Sequence, residues 1–336
     1  VYPSICAGNE LSTKELLELI DEFGLIKIFT VRISGGEPFL REDLLLIVDS
    51  LIKKNVRISI NTNAMFVNGS IVKTLLKYRE RIDDIMVSID GSRAEIHERL
   101  RGTGVFERTI EGIKKLTDAG LNVSAYTTVV KYNFHDIEEI IKLCKKIGIS
   151  HVKFNELLPV GMGHKHYNEL ALNHQERKIV IQKLKKLSKK YNGFISGTYL
   201  QICEMFSVKQ PGNNNLTLSG CGATLSNLTI LPDGTVVPCD RMQDFVLGNV
   251  REKSIKEIWN FSPQLKIFRE RFSKTINDIR ECADCGYKNR CTGGCPAVPY
   301  YLKGDLFGMD PLSCYKIYAG LEDFSLKAHL EHRTRG

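Results

Sequence analysis

The chain has 336 residues, 43% of them hydrophobic and 26% charged, which suits one large and one smaller globular domain rather than a fibrous or disordered polypeptide. It contains no run of about 18 or more apolar residues, so a membrane span is not expected. Its formal charge of +8 is spread along the chain and is explained by solvated helix faces, so no nucleic-acid partner is expected either.

From residue 12 to about 157 helices and strands alternate. Ser12 and Glu15 form a capping box that opens a helix closed by Gly24, and 26–34 reads as a buried strand. A helix is predicted at about 41–54, a strand at 56–61, a helix near 70–78 and a strand at 83–89. Then follow a loop around 97–102, a helix at 105–119, a strand at 122–130, a helix at 135–147 and a strand at 150–157. In the last of these helices Ile137, Ile140, Ile141, Cys144 and Ile147 recur at three and four residues, so Cys144 sits on an apolar stripe as a buried structural thiol. Such alternation implies a parallel sheet with right-handed crossovers, whose ligands bind at the carboxyl ends of the strands.

Residues 160–173 read as a connection, 174–191 as a charged helix, and 210–220, rich in Pro, Gly and Asn, as a boundary. Beyond it, 228–231 and 235–238 flank Pro232-Asp233-Gly234 as a β-hairpin, and a helix is expected around 255–259.

The predicted strand ends gather polar residues. The first carries Ser34-Gly35-Gly36-Glu37-Pro38, where two glycines allow a tight turn and close approach to a ligand, and Glu37 offers a carboxylate to an ammonium group. The next ends Asn61-Thr62-Asn63, the third Ser88-Ile89-Asp90-Gly91, followed by a loop reaching Arg101. The fourth leads to Lys131, Tyr132 and Asn133, and the last to Asn155-Glu156-Leu157-Leu158-Pro159. Polar groups collected at one rim favour a small-molecule site over a chance set of turns.

The ten cysteines are unevenly placed: Cys6, Cys144 and Cys203 precede residue 221, and seven lie between 221 and 314. Cys221 and Cys239 flank the hairpin, Cys282, Cys285, Cys291 and Cys295 form a dense run, and Cys314 follows after a gap. With no secretory signal visible, this clustering reads as metal ligation before disulfides, and the expected compartment is the cytoplasm. Iron–sulfur clusters, structural zinc and disulfides are the competing uses of these thiols.

In order and spacing these motifs are similar to those of radical S-adenosylmethionine enzymes. Gly35-Gly36-Glu37-Pro38 resembles that family's GGEP motif, which meets the amino group of the methionyl moiety. Ser88 with Asp90-Gly91 resembles its SxDG strand end, Arg101 falls where a loop arginine meets the carboxylate, Asn61 and Asn63 match the strand end near the ribose, and Leu157 matches the backbone position lining the adenine. The seven clustered cysteines resemble the SPASM signature of the subtilosin, pyrroloquinoline quinone, anaerobic sulfatase and mycofactocin maturation systems.

That resemblance implies a partial (β/α)6 barrel missing its first strand over 1–160, a connecting helical segment over 161–210, a small cysteine-rich SPASM domain with a β-hairpin over 211–320, and a tail over 321–336. It implies S-adenosylmethionine and [4Fe–4S] clusters as cofactors. Cys282, Cys285, Cys291 and Cys314 are expected to hold one auxiliary cluster. Cys221, Cys239 and Cys295 are expected to hold the other, with the fourth ligand unassigned and Cys203 either supplying it or buried as packing. Asp240 resembles a proposed catalytic base, with a turn carboxylate as the alternative.

The implied activity is generation of a 5′-deoxyadenosyl radical to modify a peptide or small-protein substrate, fed by a low-potential donor such as flavodoxin or ferredoxin. Tetrapyrrole (haem) tailoring is an alternative, and a metal-stabilised scaffold without catalysis is another. The family's CxxxCxxC is missing, and Cys6 stands alone. The first strand and its cysteines are therefore expected upstream of Val1, and this chain is expected to be inactive without them.

Overall fold

The computed structural model describes residues 9–201, 217–218 and 221–314. Cys6, Cys203, most of the 210–220 boundary and the expected tail lie outside the described residues. The described residues divide into two units: 9–156 with 183–198, and 157–182 with those from 199 onward. The segment expected as a connection is thus shared between them.

In the first unit six parallel strands lie in sequential order: β1 (Thr30–Ile33), β2 (Arg57–Thr62), β3 (Ile82–Ser88), β4 (Val123–Val129), β5 (His151–Glu156) and β6 (Ile195–Ser196). Between them run α1 (Thr13–Leu25), α2 (Leu44–Lys53), α3 (Gly69–Lys77), α4 (Ala94–Arg101), α5 (Phe106–Asp118) and α6 (Ile137–Lys146). The expected capping box opens α1: the Ser12 hydroxyl accepts from the Glu15 amide while Glu15 Oε2 accepts from the Ser12 amide.

Two faces of the sheet differ in chemistry. Ile58, Ile60, Ile85, Val87, Ala125, Val152 and Phe154 are fully buried on the strands, matched by Leu75 of α3, Ile113 and Leu116 of α5, and Ile137, Ile140, Ile141 and Cys144 of α6. Each large aliphatic among them stabilises the fold by about 1.5–3 kcal/mol. Alternate positions carry Ser59, Asn61, Asp84, Ser124 and Asn155, and Ser124 Oγ donates to Asp84 Oδ2 at 2.7 Å. A sheet covered by helices on both faces has no use for such a polar row, which marks a ligand-facing surface.

Three expectations need correction. The first strand is four residues long and alternates exposed with half-buried, because among the described residues β1 pairs only with β2. The loop around 97–102 is the end of α4, whose one buried side chain, His97, leaves too little apolar pattern to signal a helix. A sixth strand, β6, was not expected; it pairs with β5, and Gly197 beside it has φ +130°, with no room for a Cβ, which would lie 1.8 Å from the Phe154 carbonyl oxygen.

The second unit contains the expected hairpin, extended to three antiparallel strands by β9 (Gly248–Asn249) beside β7 (Thr229–Ile230) and β8 (Thr235–Val237). Gly234 takes φ +85° at the turn, and Asp233 Oδ1 accepts from the Thr235 amide at 3.0 Å. The helix Ile255–Phe261 is opened by a second capping box, Ser254 with Glu257. A buried group of Ala223, Met242, Phe268, Ala297 and Leu306 forms the local core, and Cys221, Cys239 and Cys295 pack against it.

Candidate functional site

At the carboxyl edge of the parallel sheet, Gly35 has φ +141°, and a Cβ at Gly35 or Gly36 would meet nothing within 4 Å. The backbone is therefore bare toward open space. Glu37 follows, its Oε1 accepting from the Phe39 amide at 3.1 Å and the Thr62 hydroxyl at 2.7 Å, its Oε2 from the Asn63 amide at 2.7 Å. Pro38 is buried and starts a 3-10 turn, Pro38–Leu40. The ends of β1 and β2 are thus locked by one carboxylate that retains one lone pair, on Oε2, for a further donor.

The turn after β2 is held from behind by α5. Thr109 Oγ1 donates to the Asn63 carbonyl at 3.1 Å, and a Cβ at Gly112 would lie 2.0 Å from the Ala64 carbonyl oxygen, so only glycine lets the helix come this close. Asn61 leaves a buried Oδ1 without a hydrogen-bond partner, the kind of atom a ligand hydroxyl satisfies. Asn63 spends its own Oδ1 on the Met65 amide at 2.9 Å.

Ser88 ends β3. Asp90, 1% exposed, has both carboxylate oxygens committed: Oδ1 accepts from the Thr128 amide at 2.8 Å and Oδ2 from Arg101 Nε at 2.5 Å. It is a strut that aims Arg101, which stays 36% exposed. Asn133 reinforces the strut, Nδ2 donating to the carbonyls of Asp90 at 3.0 Å and Thr128 at 2.8 Å. His97 Nδ1 accepts from the Asp90 amide at 3.2 Å; burial pulls its pKa down, with Asp90 opposing and Arg101 assisting, so the ring is neutral at pH 7. Leu157 directly follows β5, and its side chain packs with Tyr167, Val298, Leu302 and Leu312.

The seven clustered cysteines fall into two groups. Cys282, Cys285, Cys291 and Cys314 line one cavity, walled by Ile276, Ile279, Met309 and Asp310 among others. Cys221, Cys239 and Cys295 lie together on the core around Phe268 and Ala297. All seven are free thiols. Burial pushes Cys282 up to about 12, helped by the sulfurs of Cys291, Cys314 and Cys285; burial does the same to Cys239, helped by Cys295 and Cys221. Each thiol feels its own group. Asp240 is exposed in the turn after Cys239, its carbonyl accepting from Gln243 Nε2 at 3.1 Å.

Comparison with known proteins shows the family. The family model described as "Radical SAM superfamily" matches residues 3–150, and that described as "Iron-sulfur cluster-binding domain", SPASM, matches 221–286. An AdoMet-dependent heme synthase from Methanosarcina barkeri is 30% identical over 329 residues, covering 93% of this chain and 90% of the relative. The chain belongs to the radical SAM superfamily.

Mycofactocin maturase MftC from Mycolicibacterium smegmatis is 26% identical, over 90% of this chain and 75% of that one. The crystal structure of Streptococcus suis SuiB bound to S-adenosylmethionine superposes with TM-score 0.68 at 18% identity, covering 88% of this chain and 69% of that one, and shares its fold. The six-stranded sheet is accordingly the superfamily's partial barrel, and the expected fold class holds. The protein is a radical SAM enzyme whose cofactors are S-adenosylmethionine and [4Fe–4S] clusters.

The residues present fit those cofactors. Bare glycine backbone beside a fixed carboxylate suits an amino-acid moiety, and the orphan Asn61 oxygen suits a sugar hydroxyl. Four cysteine thiols that line one cavity suit a cluster held by four thiolates. The sequence places Thr62 and Asn133 at the strand ends but does not reveal that they position Glu37 and Asp90, and it gives no sign of the buried pair Arg271 and Asp310. Partners distant in sequence give no local signal.

Proposed function

We propose that this radical SAM enzyme is a maturase that modifies a peptide or small-protein substrate, with two auxiliary [4Fe–4S] clusters in its C-terminal region. The observation that carries the reading is the separation of seven cysteines into a cavity of four and a group of three. The first set closes a cluster fully, while the second leaves one iron open to substrate or to another ligand. Mycofactocin maturase MftC, a relative by its printed name a maturase, supports the maturase reading.

Gly35 and Gly36 would admit the methionyl end of S-adenosylmethionine and Glu37 would take its ammonium, with Pro38 fixing the turn. Arg101, aimed by Asp90, would take the carboxylate. Asn61 and Asn63 would serve the ribose, Ser88 would complete the strand-end rim, and the Leu157 backbone would line the adenine. When bound, the cluster and S-adenosylmethionine supply one-electron cleavage of the sulfonium and hydrogen-atom abstraction from substrate. Asp240, exposed in the turn after Cys239, would serve as the base that accepts a proton from the substrate. The low-potential electron enters from a donor such as flavodoxin or ferredoxin. The free thiols fit a reducing, cytoplasmic setting, and among the described residues no helix is long and apolar enough to cross a membrane.

Haem tailoring is the second reading, favoured by the 30% identity to the AdoMet-dependent heme synthase. The two separate in one experiment. Full-length protein, reconstituted anaerobically with iron and sulfide, is given S-adenosylmethionine, a reductant, and either a cognate precursor peptide or an iron porphyrin with propionate side chains. Loss of hydrogen from the peptide by mass spectrometry supports the maturase; loss of carbon dioxide from the porphyrin alone transfers the protein to the second reading.

A further inference from the structure

Two charged side chains are buried in the cysteine-rich unit with no part in the chemistry above. Arg271 is 1% exposed and heads the fully buried side chains in size; Asp310 is 3% exposed. Arg271 Nη1 donates to the Leu306 carbonyl at 2.8 Å and Nη2 to the Gly293 carbonyl at 3.1 Å. Asp310 Oδ2 accepts from the Cys295 amide at 2.8 Å, and Oδ1 from the amides of Leu312 at 2.8 Å and Ser313 at 3.3 Å.

Both side chains address one short stretch, Cys291-Thr292-Gly293-Gly294-Cys295. Its first cysteine lines the four-cysteine cavity, and its last belongs to the group of three. This stretch is therefore the shortest covalent tie between the two groups. It is built from consecutive left-handed glycines, Gly293 at φ +83° and Gly294 at φ +69°. A Cβ at Gly293 would stand 2.7 Å from Leu218 Cδ2 and 3.0 Å from Arg271 Nη2, and one at Gly294 only 2.5 Å from Asp310 Oδ2. The glycine pair is gripped, with Arg271 against one residue and Asp310 against the next.

Two glycines in a row are the loosest connection a chain can offer, because they have the most backbone freedom to lose. A buried guanidinium and a buried carboxylate are costly to desolvate, and apolar residues would pack the same space at less cost. What the charged pair adds is directional: fixed hydrogen bonds to one carbonyl and one amide of the tie.

We propose that Arg271 and Asp310 are positioning residues, a buried clamp that fixes the Gly293–Gly294 tie and so sets the distance and orientation between the two auxiliary clusters. This rests on reading the two cysteine groups as cluster sites. The clamp matters because electron passage and magnetic coupling between clusters depend steeply on their separation, while each cluster's potential depends on the hydrogen bonds and charge around its sulfurs.

The test uses full-length, anaerobically reconstituted protein carrying Arg271→Lys, Asp310→Asn or Gly294→Ala. Iron and sulfide content, the EPR spectrum of the reduced clusters and their midpoint potentials are measured against wild type. The proposal expects the two conservative variants to keep wild-type iron while the spin coupling between auxiliary clusters changes and at least one potential shifts. It expects Gly294→Ala, which displaces Asp310 without removing it, to change the coupling in the same way. Unchanged spectra and potentials at full iron overturn the clamp. So does loss of fold in both conservative variants, which assigns the pair a purely structural role. Iron-free wild-type protein fails the cluster reading itself, before any variant is made.

Discussion

The Thr62 hydroxyl donates to Glu37 Oε1 at 2.7 Å, joining the last residue of β2 to the turn that follows β1. With the Asn63 amide on Oε2, this fixes the carboxylate beside the open glycine backbone before any ligand arrives. A preset carboxylate binds an ammonium without first ordering itself.

Replacing Glu37 with Gln is therefore expected to weaken S-adenosylmethionine binding by about 10- to 100-fold, the worth of a hydrogen bond to a charged group. Thr62→Val, which leaves the charge but removes one restraint, should weaken it only about fivefold. Equilibrium dialysis with labelled ligand reads both; equal losses in the two variants contradict the division of labour.

Asp90 ties the end of β3 to β4 and to the end of α4, so Asp90→Ala leaves the Thr128 amide and the Arg101 guanidinium without their acceptor. The expected cost is about 1–3 kcal/mol in urea unfolding, toward the lower end because Arg101 is 36% exposed and water takes over its bonds. A variant as stable as wild type would show that the strut carries no load.

His97 sets a pH limit. Burial chiefly holds its folded-state pKa below the ordinary histidine value of about 6.5, so the unfolded chain binds the proton more readily. Stability contributed by the neutral ring is complete above about 6.5 and is lost as pH falls through the lower folded value. The charged ring also cannot accept from the Asp90 amide. Urea unfolding between pH 8 and pH 5 should show a shallower pH slope in His97→Gln than in wild type; matching slopes rule the histidine out as the cause.

Much of this architecture was legible in the sequence, and the omissions have physical reasons. The Ser12–Glu15 box and the apolar stripe of α6 are local signals, and both stand in the structure as expected. Strand β6 is two residues long, too short for any alternation, and its one sequence trace is Gly197. Helix α4 buries only His97, so its polar sequence resembles a loop. The rim motifs were visible as residue types, but which of them hold the scaffold was not. Asp90 and Asn133 face each other across 43 positions, and Arg271 meets Gly293 across 22. Such pairings come from tertiary structure alone.

The two cysteine groups also make separable predictions. Cys285→Ser removes a ligand from the four-cysteine cavity only. It is expected to lose about half the auxiliary iron and to leave the EPR signal of the other cluster in place. Loss of all the iron would mean that the groups assemble as one unit.

Whether these thiols hold iron–sulfur clusters is read from the metal and sulfide content of wild-type protein purified without oxygen. Brown protein with about eight iron and eight sulfide per chain from the auxiliary clusters alone is expected. Colourless protein carrying zinc and no acid-labile sulfide would contradict the cluster reading.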